Sequence, residues 1–265
     1  MTELKSFDRV AHLYDETRGV PTDVATEIAR AIFNALSEDC TKPRVLETGV
    51  GTGRIAVPLA ALGVQVAGTD ISSKMIERLR QKRDDIDIVY ADAARPPFRA
   101  TSFDAALFVH ILHLVSDEEA TLRAAVPLLK PGGRLILGFE NYDGVRTAAD
   151  DIMESVSRDL FPGLRTGREG QRRNLQAFRT VAAEAGAVAE HRVAATWRES
   201  ITARAILDSN ANRHGSGSWT IDDETMREML RRAEPRLVAL FGSMEKAVKF
   251  NRTFELLIAP TGSAH

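Results

Sequence analysis

Residues 44–70 read RVLETGVGTGRIAVPLAALGVQVAGTD, and this stretch determines the fold class. A short apolar run, typical of a buried strand, ends at Glu47, and glycine then occupies every second position. An apolar helical pattern follows and stops at Gly63, a residue type that often ends helices. A second apolar run ends in Asp70. Strand, glycine turn, helix, strand and acid together predict a βαβ unit that binds a nucleoside.

The spacing of the glycines in this turn differs from that of the common nucleotide-binding motifs. Glycine lacks a Cβ atom, so the backbone there can adopt positive φ and touch a ligand, and the helix that follows offers free N–H groups to an anion. A G-x-G-x-x-G fingerprint would need its third glycine where Arg54 stands, and no G-K-[ST] follows. The spacing therefore argues against NAD, FAD and a P-loop. Asp70 is positioned to accept both ribose hydroxyls of a nucleoside.

The motif E-T-G-V-G-T-G-R, which begins at Glu47, resembles the E/D-x-G-x-G-x-G motif of class I S-adenosylmethionine-dependent methyltransferases. L-L-K-P-G-G-x-L at 128–135 resembles a further landmark of that family. The resemblance implies an α/β fold with a doubly wound, mostly parallel seven-stranded sheet and an antiparallel last strand. It also implies S-adenosyl-L-methionine as the cofactor. A glycine turn in some other α/β protein is the structural alternative.

The pattern F-D-x-x-A-x-x-Y-D-x-x-R of residues 7–18 resembles the N-terminal lid of small-molecule methyltransferases of the ubiquinone/menaquinone-biosynthesis type. That resemblance implies that Tyr14 and Arg18 approach the methionine end of the cofactor. Phe7, Val10, Ala11 and Tyr14 recur at helical spacing. The alternative is therefore a helix that packs Phe7 and Tyr14 on the core and leaves Arg18 solvated. Cofactor contacts are expected from Tyr14, Arg18, Glu47, Thr48, Gly49, Gly51, Gly53, Asp70, Ile71, Met75, Asp92, Ala93, Val109 and His110.

The resemblance assigns the adenine contacts to positions after the second and third strands. Ile71 and Met75 are expected to form the apolar wall that a purine face requires, although core packing explains Met75 equally well. Asp92, with Ala93 beside it, is expected to accept a hydrogen bond from the adenine exocyclic amine.

Two histidines follow the predicted fourth strand at 102–109, where strand ends face the ligand in an open α/β sheet. His110 and His113 are therefore candidate catalytic residues, each as a general base or as a hydrogen-bonding group for substrate. His110 is nearer the strand end. In the alternative reading, one histidine packs under the cofactor and the other caps the next helix.

The remaining patterns predict where elements begin and end. A helix over 21–37 is expected to begin at Thr22 or Asp23 as the N-cap, and residues 130–134 are expected to form a tight turn before a strand at 135–138. Further helices are predicted at 118–129, 145–160 and 174–185, and further strands at 85–90, 188–197 and 252–259. Pro162 and Gly163 are predicted to break the chain between two helices.

One domain over residues 1–265 is expected, with a lid at 1–20 and helical insertions at 141–186 and 200–232 that cover the substrate pocket. Four arginines of the first insertion either hold an acidic substrate or form a solvated face: Arg165, Arg168, Arg172 and Arg173. Trp197, His214 and Trp219 are candidates for the pocket lining, and core packing is equally plausible for Trp197.

Composition weighs against several classes of protein. A net charge of −2 provides no field that would attract nucleic acid. The single cysteine, Cys40, cannot form an internal disulfide, lacks a metal-binding pattern nearby and suits a reducing compartment. No apolar run reaches membrane-spanning length and the N-terminus does not read as a signal peptide, so a cytoplasmic protein without a membrane partner is expected.

The expected activity is in-line transfer of a methyl group to a small-molecule acceptor by a monomer or homodimer. Positioning is the protein's main task, and a base is needed only for a weakly acidic hydroxyl or a carbon acid. The alternatives are an RNA or protein methyltransferase and a non-catalytic S-adenosylmethionine-binding module. A nicotinamide dehydrogenase is disfavoured by the glycine spacing.

Overall fold

The computed structural model describes residues 7–8, 11, 14–36, 42–161 and 167–261. The expectations for Val10, Cys40, Pro162, Gly163 and Arg165 lie outside the described residues.

Strands and helices alternate from residue 44 to residue 90, and the chain then continues directly to a further strand. The strands are β1 (Arg44–Thr48), β2 (Gln65–Asp70), β3 (Asp87–Tyr90), β4 (Phe103–Val109), β5 (Leu129–Tyr142), β6 (Glu190–Ile201) and β7 (Val248–Pro260). The helices are α1 (Tyr14–Arg18), α2 (Thr22–Asn34), α3 (Ala56–Ala61), α4 (Ser73–Lys82), α5 (Glu118–Ala125), α6 (Gly144–Leu160), α7 (Gly167–Glu184), α8 (Ala203–Ala211) and α9 (Asp223–Phe241).

The seven strands form one sheet in the order β3-β2-β1-β4-β5-β7-β6. The strands β1 to β5 pair in parallel, with Thr48 opposite both Thr69 and Phe108. β7 runs antiparallel to β5, since Thr261 donates to the Gly133 carbonyl at 2.7 Å while Asp143 donates to the Asn251 carbonyl at 3.1 Å. The predicted doubly wound sheet with an antiparallel last strand is confirmed.

The chain divides into two compact units. Unit 1 contains the described residues of 1–139, 173–195 and 254–265, and unit 2 contains those of 140–172 and 196–253. These boundaries differ from the predicted insertions: residues 173–186 belong to unit 1, and residues 233–253 belong to unit 2. Each unit has its own apolar core, built around Phe103, Phe108 and Phe178 in unit 1 and around Met226, Leu237 and Phe241 in unit 2.

The fifth strand was predicted incorrectly at its start. Residues 130–134 do not form a turn before the strand but lie inside β5 as a bulge. Phe103 pairs with Leu129 and Ala105 pairs with Arg134, so two steps along β4 face five steps along β5. Gly132 has φ +74°, which lets the backbone make this detour.

Two helix ends also differ from prediction. The N-cap of α2 is Pro21, without a side-chain capping hydrogen bond, and not Thr22 or Asp23. The predicted 118–129 helix ends at Ala125 and continues as a 3₁₀ turn to Leu128. The α5 cap is Asp117, which accepts from the Ala120 N–H at 2.8 Å, so neither histidine caps this helix. Among the described residues, no helix has the length and apolar character needed to cross a membrane.

Candidate functional site

A cleft in unit 1 lies beyond the carboxyl ends of β1, β2, β3 and β4. It measures about 650 Å³, open solvent at its mouth included. Its lining consists of Phe7, Tyr14, Gly49, Gly51, Asp70, Ile71, Met75, Ala91, Asp92, Ala93, Val109, His110, Ile111, Leu114 and Val115. The parallel register explains this placement, because the ends of neighbouring parallel strands meet at one edge of the sheet.

The glycine turn forms the floor of the cleft. Gly49, Gly51 and Gly53 have φ values of +69°, +55° and +81°, a backbone region that residues with a Cβ rarely adopt. A Cβ at Gly49 would lie 2.5 Å from the Ile111 Cδ1 atom, so that position also needs glycine for space. A Cβ on Gly53 would lie 2.8 Å from Val57 Cγ2 and 2.9 Å from Leu79 Cγ, so packing against α3 and α4 also favours glycine at the third position.

Asp70 at the end of β2 is held in place by backbone donors. Gly51 donates to Oδ2 at 2.8 Å, and Ser72 donates to Oδ1 at 2.8 Å. Burial raises the pKa of Asp70 against the effect of these N–H groups. Each carboxylate oxygen has a second lone pair, so both remain able to accept a hydroxyl group. This arrangement fits the ribose of a nucleoside.

The walls beside Asp70 are mostly apolar. Ile71 and Met75 line the cleft, and Met75 is only 3% exposed, so its side chain both packs in the core and forms part of the wall. Ser72 caps α4 by accepting the Met75 N–H at 3.1 Å. Asp92 also lines the cleft, and its Oδ1 accepts the Ala94 N–H at 2.9 Å.

Glu47 lies beneath the turn and outside the cleft lining. Glu47 is only 3% exposed, and this burial raises its pKa to about 8. The charge of Arg54 and the hydrogen bond from the Ala56 N–H oppose the rise in pKa. Four further predicted residues are also absent from the lining: Arg18, Thr48, Gly53 and His113. Direct cofactor contacts by Glu47, Arg18, Thr48 and Gly53 therefore stay predictions.

Two acidic residues of the N-terminal segment contact the glycine turn and α4. Asp8 accepts the Ser72 hydroxyl at 2.5 Å, next to Asp70. Asp15, in α1, accepts the Thr52 hydroxyl at 2.6 Å and pairs with Lys82 at 2.8 Å. The segment is thus joined to the glycine turn and to both ends of α4.

Aromatic rings from the same segment line the cleft. Phe7 and Tyr14 form an edge-to-face pair with ring centroids 5.6 Å apart. Five of the lining residues were not predicted as site residues: Phe7, Ala91, Ile111, Leu114 and Val115. Ala91 directly follows β3 and the last three follow β4, so counting onward from each strand end would have found four of them.

The two histidines differ in position. His110 lines the cleft, has φ +52° and packs edge-on against the Phe254 ring, with centroids 6.5 Å apart. His113 lies in a 3₁₀ turn at Leu112–Leu114, is exposed and does not line the cleft. Of the two candidate catalytic residues, only His110 is therefore near a ligand that occupies the cleft, and a catalytic role for either stays a prediction.

The arginines considered for an acidic substrate make contacts with protein groups. In unit 2, Arg168 pairs with Asp151 and donates to the Thr147 carbonyl at 2.9 Å. In unit 1, Arg173 donates to Glu118 at 2.7 Å. Arg172 is exposed. The pairings of Arg168 and Arg173 favour a surface role over a substrate site.

The aromatic candidates of unit 2 are also engaged within the protein. Trp197 is 9% exposed and donates to Glu199 at 2.6 Å, and Trp219 donates to the Arg213 carbonyl at 2.9 Å. His214 is half-buried. In the part of the chain that the structure describes, no three His, Cys, Asp or Glu side chains come together as a metal site would require.

Comparison with known proteins agrees with this geometry. Residues 46–137, which contain the glycine turn, Asp70, Asp92 and His110, match the family model described as a methyltransferase domain. This segment is a methyltransferase domain. The sheet of the whole chain is mostly parallel with an antiparallel last strand, as the resemblance to class I S-adenosylmethionine-dependent enzymes implied.

Two curated relatives of the methyltransferase domain illustrate the range of similar proteins. A demethylmenaquinone methyltransferase of Paenarthrobacter aurescens (strain TC1) is 34% identical over 131 residues, which is 49% of this chain and 52% of the relative. A 27-O-demethylrifamycin SV methyltransferase of Amycolatopsis mediterranei (strain S699) is 38% identical over 102 residues, 36% of this chain and 38% of the relative. The chain spans about half the length of the first of these relatives.

A solved structure extends the likeness beyond the methyltransferase domain. A candidate methyltransferase from Bacillus halodurans C-125 matches with a TM-score of 0.58 at 16% identity, over 89% of this chain and 99% of that one. At such low identity, the likeness establishes the fold alone.

Proposed function

We propose that this chain binds S-adenosylmethionine in the unit 1 cleft and transfers its methyl group to a small-molecule acceptor. The single observation that carries the proposal is the cleft itself, which joins the left-handed glycine turn to Asp70 and Asp92. A glycine floor, an acid that accepts two hydroxyls and a second acid beside an apolar wall are the groups that an adenosine requires.

Each part of the nucleoside has a matching residue. Asp70 accepts the ribose hydroxyls, because both of its oxygens are oriented by backbone N–H groups and retain lone pairs. Ile71 and Met75 provide the apolar surface for the purine, and Asp92 accepts from its exocyclic amine. When bound, S-adenosylmethionine supplies a methyl group that is already activated on a sulfonium.

The remaining task of the protein is to position the acceptor and exclude water. The apolar lining contributed by Phe7, Tyr14, Ile111, Leu114 and Val115 supports this role. Bringing two reacting groups to about 3 Å in a fixed geometry replaces a bimolecular encounter by an effectively unimolecular step, which alone can lower a barrier by roughly 7–11 kcal/mol. No metal or redox chemistry is required for such a displacement.

A small-molecule acceptor is favoured by three observations. The names of the two curated relatives describe methyl transfer to demethylmenaquinone and to 27-O-demethylrifamycin SV, both small molecules. The net charge of −2 gives no attraction to nucleic acid. The cleft also has an apolar rather than a cationic lining. We propose in addition that the protein works in the cytoplasm as a monomer or homodimer.

The test is calorimetric titration with S-adenosylhomocysteine, with NADH as the control ligand. Micromolar binding of the first ligand and no binding of the second are expected. Absence of S-adenosylhomocysteine binding, or comparable binding of NADH, would overturn the proposal. Incubation with S-adenosylmethionine carrying a labelled methyl group, and with small-molecule phenols, RNA or protein as acceptors, then separates an enzyme from a binding module.

A further inference from the structure

Arg54 bridges two groups in unit 1, one of which lines the cleft. Its Nη1 donates to the Arg18 carbonyl at 2.7 Å, at the last residue of α1. Its Nη2 lies 3.3 Å from Nε2 of His110, which lines the cleft. Arg54 stands where a dinucleotide motif has its third glycine, so this bridge is specific to the present form of the turn.

The contact between Arg54 and His110 has a chemical consequence for the imidazole. A guanidinium has N–H donors only and keeps its charge, so a ring nitrogen that bonds to it must accept. A neutral imidazole that accepts at Nε2 carries its proton on Nδ1. A proton on Nε2 would remove this hydrogen bond, and the Nε2–H group would then point at the positively charged Arg54 guanidinium, which is unfavourable.

The orientation of the His110 ring is restricted from two further directions. The backbone has φ +52°, a conformation that residues other than glycine rarely adopt. The ring also packs edge-to-face with the Phe254 ring, at an interplanar angle of 78°. Because the backbone and the neighbouring ring both limit rotation, Nε2 is held toward Arg54.

We infer that Arg54 is a positioning residue that keeps His110 neutral with its proton on Nδ1. If the proposed function holds, His110 is then not the general base for a ligand in the cleft. A base needs a ring lone pair that is available to the substrate, and the Nε2 lone pair is engaged by Arg54.

Long-range ¹H–¹⁵N spectra of the ligand-free protein, labelled with ¹⁵N-histidine, test this inference because the two neutral tautomers and the imidazolium give different cross-peak patterns. The chain has 6 histidines, so the His110 signals are identified as those absent from the variant His110→Asn. Asparagine is a suitable replacement because it tolerates the left-handed backbone of this position. The expected wild-type pattern at neutral pH is the Nδ1–H tautomer. An Nε2–H or imidazolium pattern would overturn the inference.

Arg54→Met then tests the cause, since methionine keeps much of the side-chain length without any donor. Appearance of the Nε2–H form is expected in this variant and not in the control Arg78→Met, which removes a cation that lies 3.9 Å from Asp15 of α1. An unchanged tautomer in Arg54→Met would show that Arg54 does not control it. The wild-type spectrum decides the main claim even if this variant does not fold. Since no ligand is present, failure of the proposed function would appear separately, in the S-adenosylhomocysteine titration.

Discussion

The backbone N–H of Gly51 donates to Asp70 Oδ2 at 2.8 Å, although the two residues lie 19 positions apart. The acid that is expected to bind ribose therefore also fixes the glycine turn below it. Asp70→Ala should weaken S-adenosylhomocysteine binding by roughly ten- to hundredfold, because charge-assisted hydrogen bonds contribute about 1.5–3 kcal/mol. Calorimetric titration measures the change.

The control for Asp70→Ala is Asp87→Ala on β3, whose carboxylate is 77% exposed. It removes the same group from a neighbouring strand without touching the cleft, so its affinity should equal that of the wild type. Wild-type affinity in Asp70→Ala would exclude Asp70 from the ligand site.

A comparison of alanine variants at Gly51 and Gly63 distinguishes the conformational role of glycine from its role in ligand binding. Both have positive φ, +55° and +87°, so alanine at either position should lower the free energy of unfolding by about 1–2 kcal/mol. Only Gly51 lines the cleft. Gly51→Ala should therefore also lose affinity for S-adenosylhomocysteine, whereas Gly63→Ala should keep it. Equal affinity in the two variants would show that the ligand does not approach the turn.

Local spacing explains why much of the cleft could be predicted from the sequence. The glycine turn follows β1, Asp70 ends β2 and Asp92 lies two residues after β3, and the parallel register brings these strand ends together. The bulge inside β5 could not be predicted in this way, because it is determined by pairing with β4 and not by its own proline and glycines.

Contacts between residues far apart in the sequence could not be predicted from the spacing of residues within a motif. Arg54 and His110 are 56 residues apart, and nothing in either segment indicates the other. Similarly, Asp15 belongs to the pattern that resembles a lid, but its partner Thr52 lies 37 residues away in the glycine turn. Such pairs depend on how helices and loops pack above the strand ends, which hydrophobic periodicity does not specify.

Asp15 should control how firmly α1 is held on the glycine turn. Burial alone would raise the pKa of Asp15, but hydrogen bonds from Lys82 and Thr52 outweigh that effect and leave it below its ordinary value. Asp15→Asn keeps an acceptor for Thr52 and loses the ion pair. Because Tyr14, next to Asp15, lines the cleft, we expect S-adenosylhomocysteine to dissociate several-fold faster from this variant. Stopped-flow fluorescence measures the dissociation rate. Asp23→Asn on the exposed face of α2 is the control, and equal rates in both variants would contradict the assignment.

A buried ion pair in unit 2 should be important for stability. Arg252 donates to Glu140 at 2.6 Å, and the two side chains are only 12% and 5% exposed. Arg252→Met would leave the buried Glu140 carboxylate without its cation, which typically costs about 3–5 kcal/mol. We expect a clear fall in the calorimetric melting temperature. Arg231→Met, which removes a 71% exposed arginine, should leave it unchanged.

The double variant Arg252→Met, Glu140→Leu distinguishes the loss of a favourable contact from the cost of a buried carboxylate that has lost the Arg252 cation. Removing both charges should recover most of the lost stability, because the cost of the single variant is chiefly that of burying a carboxylate whose cation has been removed. A double variant as unstable as Arg252→Met would show instead that packing of the arginine stem accounts for the loss.

Glu47 should make the folded protein less stable as pH rises. Its pKa is raised from 4.5 to about 8 by burial, so between these values the folded state binds a proton that the unfolded state has released. The free energy of unfolding should then fall with increasing pH by at most ~1.4 kcal/mol per unit, and the fall should end above the folded pKa.

Glu47→Gln removes this contribution, so the stability of the variant relative to wild type should increase from pH 5 to pH 8. Urea unfolding across this range measures the difference, with the exposed Glu77→Gln as control. A difference that is constant with pH would mean that Arg54 keeps Glu47 ionised in the folded protein.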